Sequence, residues 1–254
     1  IAERRVPQDG RMKIKTKERE IDVRVSILPT VHGEKCVLRL LGSGEKSMTL
    51  TDLGFPESKL KTFKKWINQP YGMVLMCGPT GSGKSTTLYA ALQEINEEGI
   101  NITTVEDPVE YQLAGINQVQ MHEEIGLTFS AALRSILRQD PDVLLIGEIR
   151  DEETAGIAVK FSLTGHLVFS TVHANDAINT ITRLLDIGIP PFLLGSCVNL
   201  IVAQRLIRTI CKDCKEEYKP SQTELDMIQF PKDKLSSTKF YQGKGCSKCR
   251  YTGY

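Results

Sequence analysis

Residues 78–85 read Gly78-Pro79-Thr80-Gly81-Ser82-Gly83-Lys84-Ser85, which is glycine, lysine and serine at the spacing of a phosphate-binding loop. Glycines allow successive backbone N–H groups to turn inward around phosphate oxygens, and a helix starting at the loop adds partial positive charge. In such a loop Lys84 reaches the β- and γ-phosphates of a nucleoside triphosphate and Ser85 supplies a Mg2+ ligand, with Thr86 beside them. ATP with Mg2+ is the expected ligand pair.

Phosphoryl transfer needs a carboxylate to orient water near the γ-phosphate. Two stretches offer one. In Thr104-Val105-Glu106-Asp107-Pro108-Val109-Glu110 the proline ends a strand and presents Glu106 and Asp107; in Asp142-Val143-Leu144-Leu145-Ile146-Gly147-Glu148 an apolar strand delivers Glu148. Ligands of open α/β sheets bind at the carboxyl ends of strands, which places both acids at the loop's edge. Alone, each has a helix cap or a surface acid as its lesser alternative; pairing with the phosphate loop weakens that alternative further. A common phosphate-loop ATPase carries Asp where Gly147 stands, so the metal-water role passes to Glu148 or Asp107. His173 alone would read as a core histidine, but Thr171-Val172-His173-Ala174-Asn175 places it at a strand end.

Cys211-Lys212-Asp213-Cys214 and, 31 residues later, Cys246-Ser247-Lys248-Cys249 form two knuckles suited to a closed tetrahedral Zn2+ site. The spacer is longer than a compact zinc ribbon needs, and free thiols or a redox pair are the alternatives. With no histidine and no spare ligand, the metal reads as structural. Cys36, Cys77 and Cys197 stand singly in apolar surroundings and read as small buried hydrophobes. Seven cysteines, an odd number, argue for a reducing cytosol.

The elements that must position these groups follow from periodicity. Residues 11–41 alternate apolar and polar over Met12–Ile14, Ile21–Ile27 and Val37–Leu40, the pattern of a β-meander. A linker with Gly42, Gly44, Gly54 and Pro56 leads to a helix over Glu57–Asn68. From Tyr71 strands alternate with helices. Strands are expected at Met73–Cys77, Asn101–Val105, Val143–Ile146 and Leu167–Val172. Helices are expected at Thr86–Glu98, Phe129–Arg138, Glu152–Leu163, Asp176–Ile187 and Phe192–Ile210. The alternation predicts an α/β fold with a mainly parallel sheet covered on both faces. The short, Lys-rich tail from Cys211 is organised by its cysteines.

The apolar content of 41% and charged content of 25% suit a soluble globular chain, and no apolar run is long enough to span a bilayer. Ile1-Ala2-Glu3-Arg4-Arg5 reads as no export signal, and both ends read as boundaries within a longer protein. The net charge of +1 divides into +6 over residues 1–70, −10 over 71–200 and +5 over 201–254. Basic flanks around an acidic middle fit self-association or an acidic partner, while solvated faces explain them equally well. Aromatic content of 6%, with no basic stripe interleaved with aromatics, argues against direct nucleic-acid binding.

Four blocks in order (residues 78–85, Val105–Glu110, Leu145–Asp151 and Gly165–Asp176) resemble the Walker A, Asp-box, Walker B and His-box motifs of the secretion ATPase superfamily. Its members power type II secretion and type IV pilus assembly and retraction. The resemblance implies a RecA-like ATPase domain over 71–254, including a zinc module at 211–249. Residues 46–70 would be linker and helix, and residues 1–45 the truncated C-terminal part of a smaller PAS-like α+β domain. It further implies that Glu148 and Glu106 serve the water and metal, and that His173 contacts the γ-phosphate region. Arg24 and Arg39, by themselves solvent-facing strand residues, would reach the nucleotide of a neighbouring subunit in a homo-hexamer. The ring would be cytoplasmic, at the cytoplasmic face of the inner membrane, peripheral through an inner-membrane platform protein. The cysteine quartet is general in the assembly and type II branches and generally missing from retraction ATPases. Type IV pilus assembly is the favoured expectation, with type II secretion as the alternative.

Overall fold

The computed structural model describes residues 3–16, 20–41 and 48–254. The chain divides into two compact units, Ile1–Arg205 and Leu206–Tyr254. The linker glycines Gly42 and Gly44 lie outside the described residues.

The first unit opens with an antiparallel meander, β1 (Gln8–Lys15), β2 (Glu20–Thr30) and β3 (Gly33–Leu41), in that spatial order. Alternation places Val23 inside at 1% exposure, whereas Met12, Ile14, Val37, Leu38 and Leu40 remain exposed. Helix α1 (Glu57–Ile67) follows and buries Phe63 and Ile67.

Next comes a six-stranded sheet. Its strands are β4 (Gly72–Cys77), β5 (Ile102–Glu106), β6 (Asn117–Gln120), β7 (Val143–Ile146), β8 (Leu167–Val172) and β9 (Val198–Ala203). The order is β6-β5-β7-β8-β4-β9, and every neighbouring pair is parallel. Parallel strands need crossovers, supplied by α2 (Lys84–Glu94), α3 (Phe129–Ile136), α4 (Glu152–Leu163), α5 (Ala177–Asp186) and α6 (Pro191–Cys197). Unbroken apolar runs such as Met73–Cys77 suit this architecture because successive side chains enter opposite cores. Val74 and Met76 pack with Phe63 and Ile67 of α1 and with Leu88 and Leu92 of α2. Met73 and Leu75 pack with α3, α4, α5 and α6 through residues such as Leu133, Phe161, Leu184 and Leu194. Asp151 and Asp176 begin α4 and α5 by accepting 2.8 Å bonds from the Thr154 and Asn179 N–H groups.

Three expectations need correction. Cys36, read as a buried small hydrophobe, is exposed on β3, whereas Cys77 and Cys197 are buried. The helix expected over Phe192–Ile210 ends at Cys197, and Val198–Ala203 is instead the edge strand β9. Val198, Ile201 and Val202 are β-branched, and pairing with β4 satisfies backbone groups that a sheet edge would otherwise leave open. The pairing carries a bulge: Met73 faces Val198 while Val74 faces Leu200, leaving Asn199 as the extra residue. The Asn199 side-chain amide donates to the Tyr71 carbonyl at 2.8 Å. Strand β6 was not expected at all; Asn117-Gln118-Val119-Gln120 is too polar to announce itself, yet pairs with β5 throughout.

The second unit contains a two-stranded antiparallel ribbon, β10 (Lys215–Tyr218) and β11 (Phe240–Gly243), joined through α7 (Gln222–Met227). Ser221 and Glu224 form a reciprocal capping box at the start of α7. Among the described residues of this unit, Leu225 is the one buried hydrophobic side chain. So small a core calls for an additional staple.

Candidate nucleotide site and metal centre

The phosphate loop connects β4 to α2, as its spacing requires. Gly78 adopts a φ of +139°, and a Cβ there would lie 2.3 Å from the Gln204 carbonyl oxygen and 2.9 Å from Ser82 Oγ. No side chain fits that approach. The Lys84 ammonium donates to the Gly78 and Pro79 carbonyls at 2.9 and 3.1 Å, so it lies folded over the loop. Burial holds its pKa below the ordinary lysine value, with Cys77 and Glu148 acting in the opposite direction. Ser82 Oγ is the one buried side-chain polar atom without a hydrogen-bond partner among the described residues. An orphaned hydroxyl and an inward-folded lysine in a glycine cradle fit a phosphate group. Ser85 and Thr86 stand in the first turn of α2, where a Mg2+-associated hydroxyl is needed.

Strands β7 and β8 bring the second part of the site together. The Thr171 hydroxyl donates to the Gly147 carbonyl at 2.7 Å, the Ser170 hydroxyl to the Ile146 carbonyl at 2.8 Å, and the Ile149 N–H to the Thr171 carbonyl at 3.0 Å. This stitching holds the turn that carries Glu148. One Glu148 oxygen meets His173 Nε2 at 2.8 Å, and the other pairs with the Arg150 guanidinium. The ion pair with Glu148 raises the Arg150 pKa above its ordinary value. Glu148 and His173, both anticipated from sequence, are therefore in direct contact. Arg150 was not anticipated; its place two residues after Glu148 was the available signal.

Glu106 stands apart from that pair. It is 5% exposed, and its oxygens accept from the Tyr89 hydroxyl, the Thr104 hydroxyl (2.5 Å) and the Gln118 amide (3.4 Å). Tyr89 lies on α2, so this network ties the helix behind the phosphate loop to the end of β5. Burial first, and then the charge of Glu106, pushes the Tyr89 phenol pKa upward. The structure also accounts for Gly147: a Cβ there would lie 3.3 Å from both Glu106 Cα and the Val105 carbonyl oxygen. A side chain at that position would press on the backbone carrying Glu106.

Arg24 and Arg39 face each other across β2 and β3, and Arg11 faces Arg24 across β1 and β2. Directly opposed residues share one sheet face, so three like charges stand in a row, an arrangement that is unfavourable without a counter-charge. Among the described residues, no hydrogen bond or ion pair links Arg24 or Arg39 to residues 78–86 or to Glu148. Arg11, missed from sequence, donates to the Val109 carbonyl at 3.1 Å and to the Gln120 side chain at 2.5 Å.

In the second unit the sulfurs of Cys211, Cys214, Cys246 and Cys249 all lie within 4.8 Å of one another. The pairs Cys211–Cys246, Cys214–Cys249 and Cys246–Cys249 are 4.0, 3.8 and 3.8 Å apart. Tetrahedral Zn–S bonds of about 2.3 Å place sulfurs about 3.8 Å apart, so the donor set fits zinc. The Cys246 and Gly253 N–H groups donate to the Cys249 sulfur at 3.1 and 3.4 Å. They help lower its pKa to about 6, whereas burial pushes Cys214 of the same cluster up to about 12, so the case for a metal rests on the sulfur geometry.

A family model described as "Type II/IV secretion system protein" matches residues 1–254. The chain is 55% identical over its whole length to a type IV pilus assembly ATPase PilB of Myxococcus xanthus, covering 45% of that protein. It is 50% identical, again over its whole length, to a type II secretion system ATPase E of Vibrio cholerae, covering 50% of it. The chain thus spans about half the length of these curated relatives. A crystal structure of the pilus retraction motor PilT with bound ADP superposes with a TM-score of 0.68 at 33% identity, over 80% of this chain and 59% of that one. The Legionella pneumophila ATPase DotB shares the fold, with a TM-score of 0.66 at 23% identity over 91% of this chain and 68% of that one. From the full-length family match and these identities, the chain belongs to the type II/IV secretion system protein family.

Proposed function

We propose that this chain is the catalytic core of a homo-hexameric motor that hydrolyses Mg-ATP to drive type IV pilus assembly. The observation that carries the reading is the contact of Glu148 with His173 at strand ends beside the phosphate-loop strand, with Lys84 folded over that loop. ATP is the substrate. The loop N–H groups and Lys84 hold its phosphates, and Ser85 would hold Mg2+, which offsets phosphate charge when bound. Glu148 orients the attacking water and accepts its proton, while Arg150 and His173 fix the carboxylate. Water oxygen bonds to the γ-phosphorus as the bond to the β-γ bridging oxygen breaks, releasing ADP and phosphate. Glu106, whose oxygens are occupied by three donors, contributes by holding β5 against α2.

Several further assignments belong to this reading. Residues 1–45 are the end of a PAS-like domain, and residues 71–254 a RecA-like domain with a zinc-stapled module at 211–249. Arg24 and Arg39 serve the nucleotide of a neighbouring subunit. The ring works at the cytoplasmic face of the inner membrane on a platform protein, without direct nucleic-acid contact. Among the described residues, no helix is long and apolar enough to cross a membrane. A type II secretion motor is the second reading, favoured by the 50% identity to the Vibrio cholerae ATPase.

ATPase rate measured against protein concentration, for this chain and for Glu148→Gln, tests the motor. The expected result is a rate per subunit that rises with concentration and disappears in the variant. An undiminished rate in Glu148→Gln would remove Glu148 from the chemistry.

A further inference from the structure

Gln204 follows the last paired residue of β9, where its main chain and side chain together meet the phosphate loop at several points. Its N–H donates to the Cys77 carbonyl at 2.9 Å, extending the β4–β9 pairing to the last residue before the loop. Its carbonyl oxygen occupies the space that a Gly78 side chain would need. The side-chain Nε2 donates to the Ser82 carbonyl at 2.8 Å, and Oε1 accepts from the Thr87 hydroxyl at 2.9 Å. Thr87 is completely buried in the first turn of α2. One residue therefore grips the first and fifth positions of the loop and the helix that leaves it.

The bond to Ser82 has a geometric consequence. A trans peptide sets the Ser82 carbonyl and the Gly83 N–H antiparallel. Holding that carbonyl toward Gln204 turns the Gly83 N–H to the opposite side of the loop. We propose that Gln204 is a positioning residue for nucleotide binding, fixing the peptide plane that presents the Gly83 N–H to a phosphate oxygen, with Thr87 locking the Gln204 amide in the required orientation. The inference rests on the phosphate-loop reading and adds to it a residue 119 positions downstream, outside every motif. Preorganised donors bind charge better than donors that must first reorient, so loss of this clamp falls on affinity before turnover.

The test compares the parent chain with Gln204→Met, close in shape but without either polar end. Binding of a fluorescent, non-hydrolysable ATP analogue with Mg2+ is measured by anisotropy, KM and kcat by phosphate release, and melting without nucleotide by calorimetry. The expected result is an affinity loss and KM rise of about 5- to 30-fold, matching one or two lost hydrogen bonds, with a smaller change in kcat. Parent-like affinity and KM in Gln204→Met would overturn the proposal, whether or not melting changes, because Gln204 would then be only a strut. Should Gln204→Met fail to fold, Thr87→Val against Thr87→Ser carries the test. Weakened binding in the valine variant, restored by the serine hydroxyl, supports the clamp; equal affinities refute it. A parent chain that binds no analogue refutes the clamp and the phosphate-loop reading together, and is recognised because no substitution is needed to see it.

Discussion

Replacing Tyr89 with phenylalanine removes one oxygen from the interior and leaves the ring in place. The lost contact is a donor to Glu106, a carboxyl only 5% exposed, and Tyr89 itself has no exposed surface. A hydrogen bond to a carboxylate contributes about 1.5–3 kcal/mol, and a solvent molecule cannot readily replace it at this depth. Thr104 and Gln118 remain as donors to Glu106, so that carboxyl loses one bond, while Gln118 also loses a long contact to the phenol oxygen at 3.5 Å. The Glu110 N–H also loses the Tyr89 oxygen as acceptor at 3.3 Å, but Glu110 is exposed and water can substitute. For a unit of this size the expected fall in melting temperature is about 3–12 °C. The pH dependence supplies an internal control. Burial raises the folded pKa of the Tyr89 phenol above its unfolded value of about 10, so its contribution to stability is complete below pH 10 and lost as pH rises further. Tyr89→Phe lacks that component, and the gap between parent and variant narrows above pH 10. Calorimetric melts across pH 7–11 measure both effects. A variant melting within about 1 °C of the parent at neutral pH would refute the claim that this network supports the strand end.

Two other outcomes test the proposed function and the metal centre. Arg24→Ala and Arg39→Ala should each leave binding of the ATP analogue nearly intact and lower turnover by about 10³–10⁵-fold, as measured by phosphate release; unchanged turnover in both removes them from the chemistry. Elemental analysis should find about one zinc per chain, lost in Cys246→Ser, and a strong chelator should make residues 206–254 selectively sensitive to protease; metal-free protein with the same resistance would refute the structural zinc.

What the sequence revealed follows physical lines. The loop at 78–85 was legible because backbone geometry there leaves few residue choices, and Gly78 meets the Gln204 main chain at a distance no Cβ tolerates. Buried strands such as Val143–Ile146 were legible because both their faces are apolar. Glu148 and His173 were legible as strand-end residues, and the structure brings them into contact. Residues 198–203 were misread because a short apolar run has no period that separates a buried helix from a strand, and the edge of β4 decided the outcome. That error also hid Gln204, which on a helix would have had no strand end to stand at. Tyr89 escaped for another reason. Its role arises from Glu106, which stands on a different element, and single-residue type carries no record of that pairing.

Asn199 adds one residue to β9 relative to β4. Because side chains along a strand alternate strictly, that single insertion sets the parity of everything after it. With the Asn199 insertion, Gln204 arrives beside Cys77 with its amide turned to the loop; one residue fewer would present the neighbouring side chain instead. An irregularity at the far end of the strand, anchored on Tyr71, thereby selects which side chain reaches the glycine-rich loop after β4.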